Sequence, residues 1–184
     1  MANLQKVADF FLDVANKDEE DIITNARLNK LMYFAQAYSL ARNGIPLFKD
    51  EIKAWKLGPV VPEIYHKYKE YGSSRISGKY APFDPDAFTE EEYLLLLDVV
   101  REYGKYSTPT LINISHEPGS PWEYVYCRKQ GGVIDKDAIK DYYRKKASLK
   151  SFDGYITGIP IIEGRRDLAG ALVLPAELEN DWKM

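Results

Sequence analysis

Apolar residues recur every three or four positions through most of the first half of this chain. Leu4, Val7, Ala8, Phe11 and Val14 set one such row, which predicts a helix. It stops in the charged run Lys17-Asp18-Glu19-Glu20-Asp21. A second helix follows, with Thr24 as N-cap and Leu28, Leu31, Met32, Ala35 and Tyr38 as its apolar stripe. Gly44 and Pro46 end it. Leu47 to Trp55 reads as a strand anchored by Phe48, Ile52 and Trp55, broken by Gly58-Pro59. Pro62 suits the first turn of a third helix carrying Ile64, Tyr65, Tyr68 and Tyr71, and Gly72 stops it.

Residues 73–88 read as a loop. Thr89 and Glu92 then form a capping box at the head of a helix that holds the run Leu94-Leu95-Leu96-Leu97. That run marks this helix as the central one, buried on most sides, with Gly104 at its end. Ser107-Thr108-Pro109 opens a short helix that closes at Ser115-His116. A Pro/Gly break precedes a short helix from Trp122 to Cys127, and Gly131-Gly132 interrupts it. Val133-Ile134 is expected to pair briefly as a strand. Asp135 caps a last helix with Ala138, Ile139, Tyr142 and Tyr143 on one face and Arg144-Lys145-Lys146 in its final turn, where cations suit the dipole.

The composition changes after residue 150. Two apolar runs, Tyr155–Ile162 and Leu168–Leu174, flank Glu163-Gly164-Arg165-Arg166-Asp167 as a candidate turn, which predicts a loose β-hairpin. Pro160 restricts the first run to an edge strand. The expected organisation is therefore a mainly α domain over residues 1–150 with a few short strands, and a C-terminal extension over 151–184.

Composition removes several classes. With 45% hydrophobic and 29% charged residues, the 184-residue chain does not resemble a disordered one. A single cysteine, Cys127, excludes an internal disulfide and suits a reducing compartment. The opening MANLQKVADFF has no basic segment ahead of an apolar core, and the leucine run is far too short to cross a bilayer. The expectation is a cytoplasmic protein with no membrane contact. A net charge of −3 argues against nucleic acid as partner. The cations Arg144, Lys145, Lys146, Lys150, Arg165 and Arg166 are the best counter-candidate, and a helix terminus is the preferred account of the first three.

Candidate chemistry is thin. His116-Glu117 lacks the second histidine that a helical zinc site needs, since position 120 is serine and the other histidine is His66. Ser115, His116 and Cys127 come without a nucleophile elbow or a phosphate loop. No enzyme, metal or cofactor is expected. His116 is read as structural, ending a helix with its ring donating to a nearby carbonyl. Trp55 and Trp122 are read as packing residues at breaks in the chain. The 14 tyrosines mostly build the core, and they leave open a homodimer through an aromatic surface.

Three successive pieces resemble the Panacea domain, the SocA-like or phage-associated GepA-type domain. They are the helix from Lys30 to Tyr38 with Tyr33 and Gln36, the segment from Pro46 to Trp55, and Gly58-Pro59-Val60-Val61-Pro62. Ile114-Ser115-His116-Glu117 followed by Pro121-Trp122 is a fourth match, and the last helix a fifth. The resemblance covers about residues 3–147. It implies a compact helical fold in which Tyr33, Gln36, Trp55, Gly58, Pro59, Pro62, His116, Pro121 and Trp122 are structural motif positions. It further implies an antitoxin from a toxin–antitoxin module, often carried on phage or mobile elements. The expected partner is a cognate protein toxin encoded by the adjacent gene and neutralised by direct binding.

The extension lies outside the resemblance. Its apolar residues suggest a partner surface, so the candidate toxin contacts are Phe152, Tyr155, Ile156, Ile159, Ile161, Arg165, Arg166, Leu172, Leu174 and Trp182. Two other roles stay open: an adaptor delivering a client to a protease, and a DNA-binding regulator.

Overall fold

The computed structural model describes residues 1–15 and 22–149, together with the residue pairs 165–166 and 172–173. Met1–Lys146 forms one compact unit and Ala147–Met184 a second. The fold is mainly α, as the apolar spacing predicts. In order, the elements are α1 (Leu4–Ala15), α2 (Asn25–Asn43), β1 (Lys53–Trp55), β2 (Gly58–Val60) and α3 (Pro62–Tyr68). Then come α4 (Glu90–Tyr103), α5 (Thr108–Ser115), α6 (Pro121–Arg128), α7 (Lys136–Leu149), β3 (Arg165–Arg166) and β4 (Leu172–Val173).

Local chemistry sets most boundaries where the sequence places them. Thr24 accepts from the Arg27 amide, and Gly44 takes the left-handed conformation (φ 73°) that closes α2. Both halves of the Thr89–Glu92 capping box form at the head of α4. Ser107 and Ser120 cap α5 and α6, each ahead of a proline in the first turn. Asp135 accepts from the Ala138 amide at the start of α7. α3 is shorter than its apolar row suggests and tightens into a 3₁₀ turn over Lys69–Tyr71.

The strands depart from the expected pattern. Leu47 to Ile52 is not strand; Gln36 holds the backbone of Leu47 and Phe48, and the Ala2 amide donates to the Leu47 carbonyl. Gly58-Pro59 does not break a strand but forms most of β2, paired antiparallel with β1 in the register Ala54↔Pro59. The turn sits at Lys56-Leu57. Proline is tolerated there because β2 is an edge strand. Val133 bridges to Lys53, and Ile134 donates to the Ile52 carbonyl, so residues 131–134 extend β1 on its other side as expected. In the second unit, Arg165 pairs with Val173 and Arg166 with Leu172. An antiparallel pair was expected there, but with the arginines in its turn; their backbones are part of a strand instead.

The larger correction concerns which helix is central. α2 is buried nearly all round, including Asn25, Arg27, Asn29, Lys30, Gln36 and Ser39. α4 buries only Leu95, Leu96, Val99 and Tyr103, while Leu94 is 54% and Leu97 37% exposed. Four consecutive helical residues fan through about 300°. A helix packed on one side therefore cannot bury them all. On α7, Ile139 and Tyr143 face inward but Ala138 is exposed.

Candidate functional site

The motif residues gather around α2, whose polar side chains meet the backbone of α3 and of the non-helical segments beside it. Asn25, Asn29 and Gln36 fall on one side of the helix. Asn25 donates to the Tyr65 carbonyl, and the Asn29 amide oxygen accepts from the Val61 N–H at 2.9 Å. Gln36 clamps the loop after α2. Its oxygen accepts from the Leu47 and Phe48 amides (2.8 and 3.1 Å), and its nitrogen donates to the Phe48 carbonyl at 2.9 Å. Three backbone groups that would otherwise be buried without partners are thereby satisfied.

Lys30 lies a quarter-turn away. It is 1% exposed, and its ammonium donates to the Pro59 carbonyl at 2.8 Å. Burial lowers its pKa to about 7. The close approach requires Gly58. A Cβ there would sit 2.7 Å from Lys30 Cε and 2.8 Å from Ser115 Oγ, and φ is 103°. The Ser115 hydroxyl donates to the Ile112 carbonyl.

His116 stacks flat on Trp122, with ring centroids 3.6 Å apart and planes 6° from parallel. Its Nε2 is buried without a hydrogen-bond partner. Burial, and then the Lys30 charge, lower its pKa. Trp122 in turn stacks on Tyr126 and donates its indole N–H to the Trp55 carbonyl at 2.8 Å. Trp55 is half-buried and meets Tyr65 edge-on. Trp55, Gly58, Pro59, His116, Pro121 and Trp122 thus form one continuous contact set that seats the β1–β2 hairpin on α5 and α6. Pro62 opens α3 beside it. Tyr33 lies apart, fully buried and edge-on to Tyr143.

Among the described residues, no group of three or more histidine, cysteine or acidic side chains is placed to hold a metal ion. The basic residues expected at the end of α7 are spent within the fold. Arg144 donates to the Ala41 carbonyl at 2.9 Å and Lys146 pairs with Glu117, while the helix runs on to Leu149. Lys146 lies in the last turn of α7, as expected, and Arg144 and Lys145 lie just before it. No described helix is long and apolar enough to cross a membrane.

The family model for the SocA-like antitoxin Panacea domain matches residues 28–123, from the first turn of α2 to the first turn of α6. The chain belongs to this Panacea family. Antitoxin SocA of Caulobacter vibrioides (strain NA1000 / CB15N) is 32% identical over 117 residues, covering 56% of this chain and 60% of that protein. The chain therefore spans about 60% of the length of the relative it matches. No solved structure matches. Every residue of the hairpin contact set lies inside the Panacea match, as do Tyr33 and Gln36. The positions missed in the sequence are Asn25, Asn29 and Lys30 as buried polar groups, because polar residues between apolar ones on a helix ordinarily mark its solvent face.

The candidate toxin contacts all lie in the second unit. Phe152, Tyr155, Ile156, Ile159, Ile161, Leu174 and Trp182 are outside the described residues. Arg165, Arg166 and Leu172 are described as backbone in β3 and β4.

Proposed function

We propose that this protein neutralises a cognate protein toxin, encoded by the adjacent gene, by binding it directly in the cytoplasm. Membership of the Panacea family carries the reading, and the likeness to an antitoxin supports it. The motif residues serve as framework: Gln36 turns its amide, and Trp122 its indole N–H, onto the protein's own backbone. Such a framework suits a binding protein that carries its specificity elsewhere, and no catalytic role is assigned to it. We place that specificity in the extension beyond residue 150, with Phe152, Tyr155, Ile156, Ile159, Ile161, Arg165, Arg166, Leu172, Leu174 and Trp182 contacting the toxin. Apolar and aromatic side chains, with arginine, are the types that dominate binding energy at interfaces.

Co-expression tests the reading. The neighbouring open reading frame, induced alone, is expected to stop colony formation, and the full chain supplied beside it to restore growth. A harmless neighbour, or one that kills equally in the presence of this chain, contradicts the proposal.

A further inference from the structure

The outward side of α4 carries Glu90, Leu94, Leu97 and Arg101 in one row, at steps of four, three and four residues. Leu94 is 54% and Leu97 37% exposed, and the Arg101 side chain is 67% exposed. The row is flanked by the Arg42–Asp98 ion pair on one side and by Tyr93, stacked on Phe83, on the other. Arg101 pairs with Asp98 within its own helix at 2.6 Å, an exposed contact of little worth that leaves the guanidinium available to a further carboxylate. Among the described residues, no hydrogen bond or ion pair engages the Glu90 side chain.

The sequence of this row reads the same chemically from both ends once charge is inverted. About a two-fold axis halfway between Leu95 and Leu96, Glu90 meets Arg101 of a second copy, and Leu94 meets Leu97. The acidic first turn of α4 then lies beside Arg101 at the negative dipole end of the other copy, and the two helix dipoles run antiparallel. A surface that is its own complement is what an isologous dimer requires.

We infer that the protein associates with a second copy of itself through an antiparallel α4–α4 pair, with Leu94 and Leu97 at its centre and Glu90–Arg101 bridges at its two ends. One helix pair buries less than the roughly 1,200–2,000 Å² of a standard interface. The dimer is accordingly weak, with a dissociation constant in the micromolar range.

Sedimentation equilibrium of the full chain over a concentration series tests this at low salt. The wild type is expected to move from monomer to dimer. Glu90→Arg and Arg101→Glu each place like charges together and are expected to raise the dissociation constant at least tenfold. The double variant Glu90→Arg/Arg101→Glu restores the bridges in reverse and returns association to near the wild-type level. Leu94→Glu is expected to be monomeric. All four positions are exposed, and an unchanged melting midpoint in Leu94→Glu confirms that folding is not what the variant reads. A wild type that stays monomeric to the highest concentration overturns the inference. So does a dimer indifferent to Leu94→Glu, or a double variant no better than the single ones. If the wild type is monomeric while Leu94→Glu abolishes toxin binding, the row faces the toxin and the inference is likewise overturned.

Discussion

α2 and α4 pack against each other, and each looks like the other's counterpart in sequence. α2 carries three asparagines, two arginines, a lysine and a glutamine, yet it is buried nearly all round, with Asn25, Asn29, Arg27, Lys30 and Gln36 among its buried residues. α4 carries four leucines in succession, yet two of them face outward. The difference lies in what each helix touches. α2 meets the loop at Leu47–Phe48, the β hairpin and the start of α3, all of them short non-helical segments with unpaired amides and carbonyls. Its polar side chains are the partners those groups need. α4 meets the core on one side only and needs apolar atoms there alone. Polarity in a helix thus reports the chemistry of the neighbouring segment as well as contact with water.

The sharpest way to break this comparison is at Gln36. Gln36→Ala leaves two amides and a carbonyl buried without partners, at about 1–3 kcal/mol each, and is expected to cost on the order of 4 kcal/mol in urea unfolding. A loss below about 1 kcal/mol, the size of an ordinary surface change, would show that the clamp is not needed.

On α4 the test compares neighbours. Leu96→Ala removes a wholly buried side chain and is expected to cost roughly 2–5 kcal/mol. Leu97→Ala, one residue on, is expected to change stability by no more than about 0.5 kcal/mol in dilute protein. Equal losses would place Leu97 in the core and dissolve the contrast.

Lys30 sharpens the comparison through pH. Its folded pKa of about 7 lies below the ordinary 10.5. Between those values the unfolded chain holds a proton that the folded chain has released, so this group makes stability rise with pH from about 7 to 10.5. Below 7 both states hold the proton and the buried charge exerts its full cost. Lys30→Met is therefore expected to raise the melting midpoint most at pH 7 or below, and to flatten the rise between pH 7 and pH 10. The lowered pKa of His116 acts in the same sense at lower pH, so the comparison is best made above pH 7. An unchanged slope in Lys30→Met would contradict the account of this amine.

The smallest effect is at the head of α4. Thr89→Ala removes one half of a formed capping box, and the expected loss is about 1 kcal/mol by thermal melting. No loss would mean that water replaces the cap without penalty.

These helices also explain how far the sequence could be read. Caps, prolines and apolar spacing act within a few residues, so Thr24, Gly44, Pro62, Thr89 and Asp135 mark helix ends correctly from sequence. Burial of α2 and exposure of Leu94 and Leu97 depend on which elements pack where, and local spacing does not carry that. The same holds for the motif. Gly58, Pro59, His116 and Trp122 are recognisable as a family pattern, but the reason for Gly58, a lysine and a serine pressed against its Cα, emerges only from the fold. Gly58-Pro59 reads as a strand break because both residues break strands elsewhere, yet here they pair within β2.

The central claim is neutralisation by direct contact. Its most direct test is a titration of the purified toxin, assayed for its own activity, with the purified full chain and no other protein present. The account predicts that activity falls to background as the chain is added, in step with formation of a complex seen by size-exclusion chromatography. A toxin that stays fully active with excess chain, while cells are still rescued by co-expression, would contradict direct neutralisation and point to removal of the toxin instead.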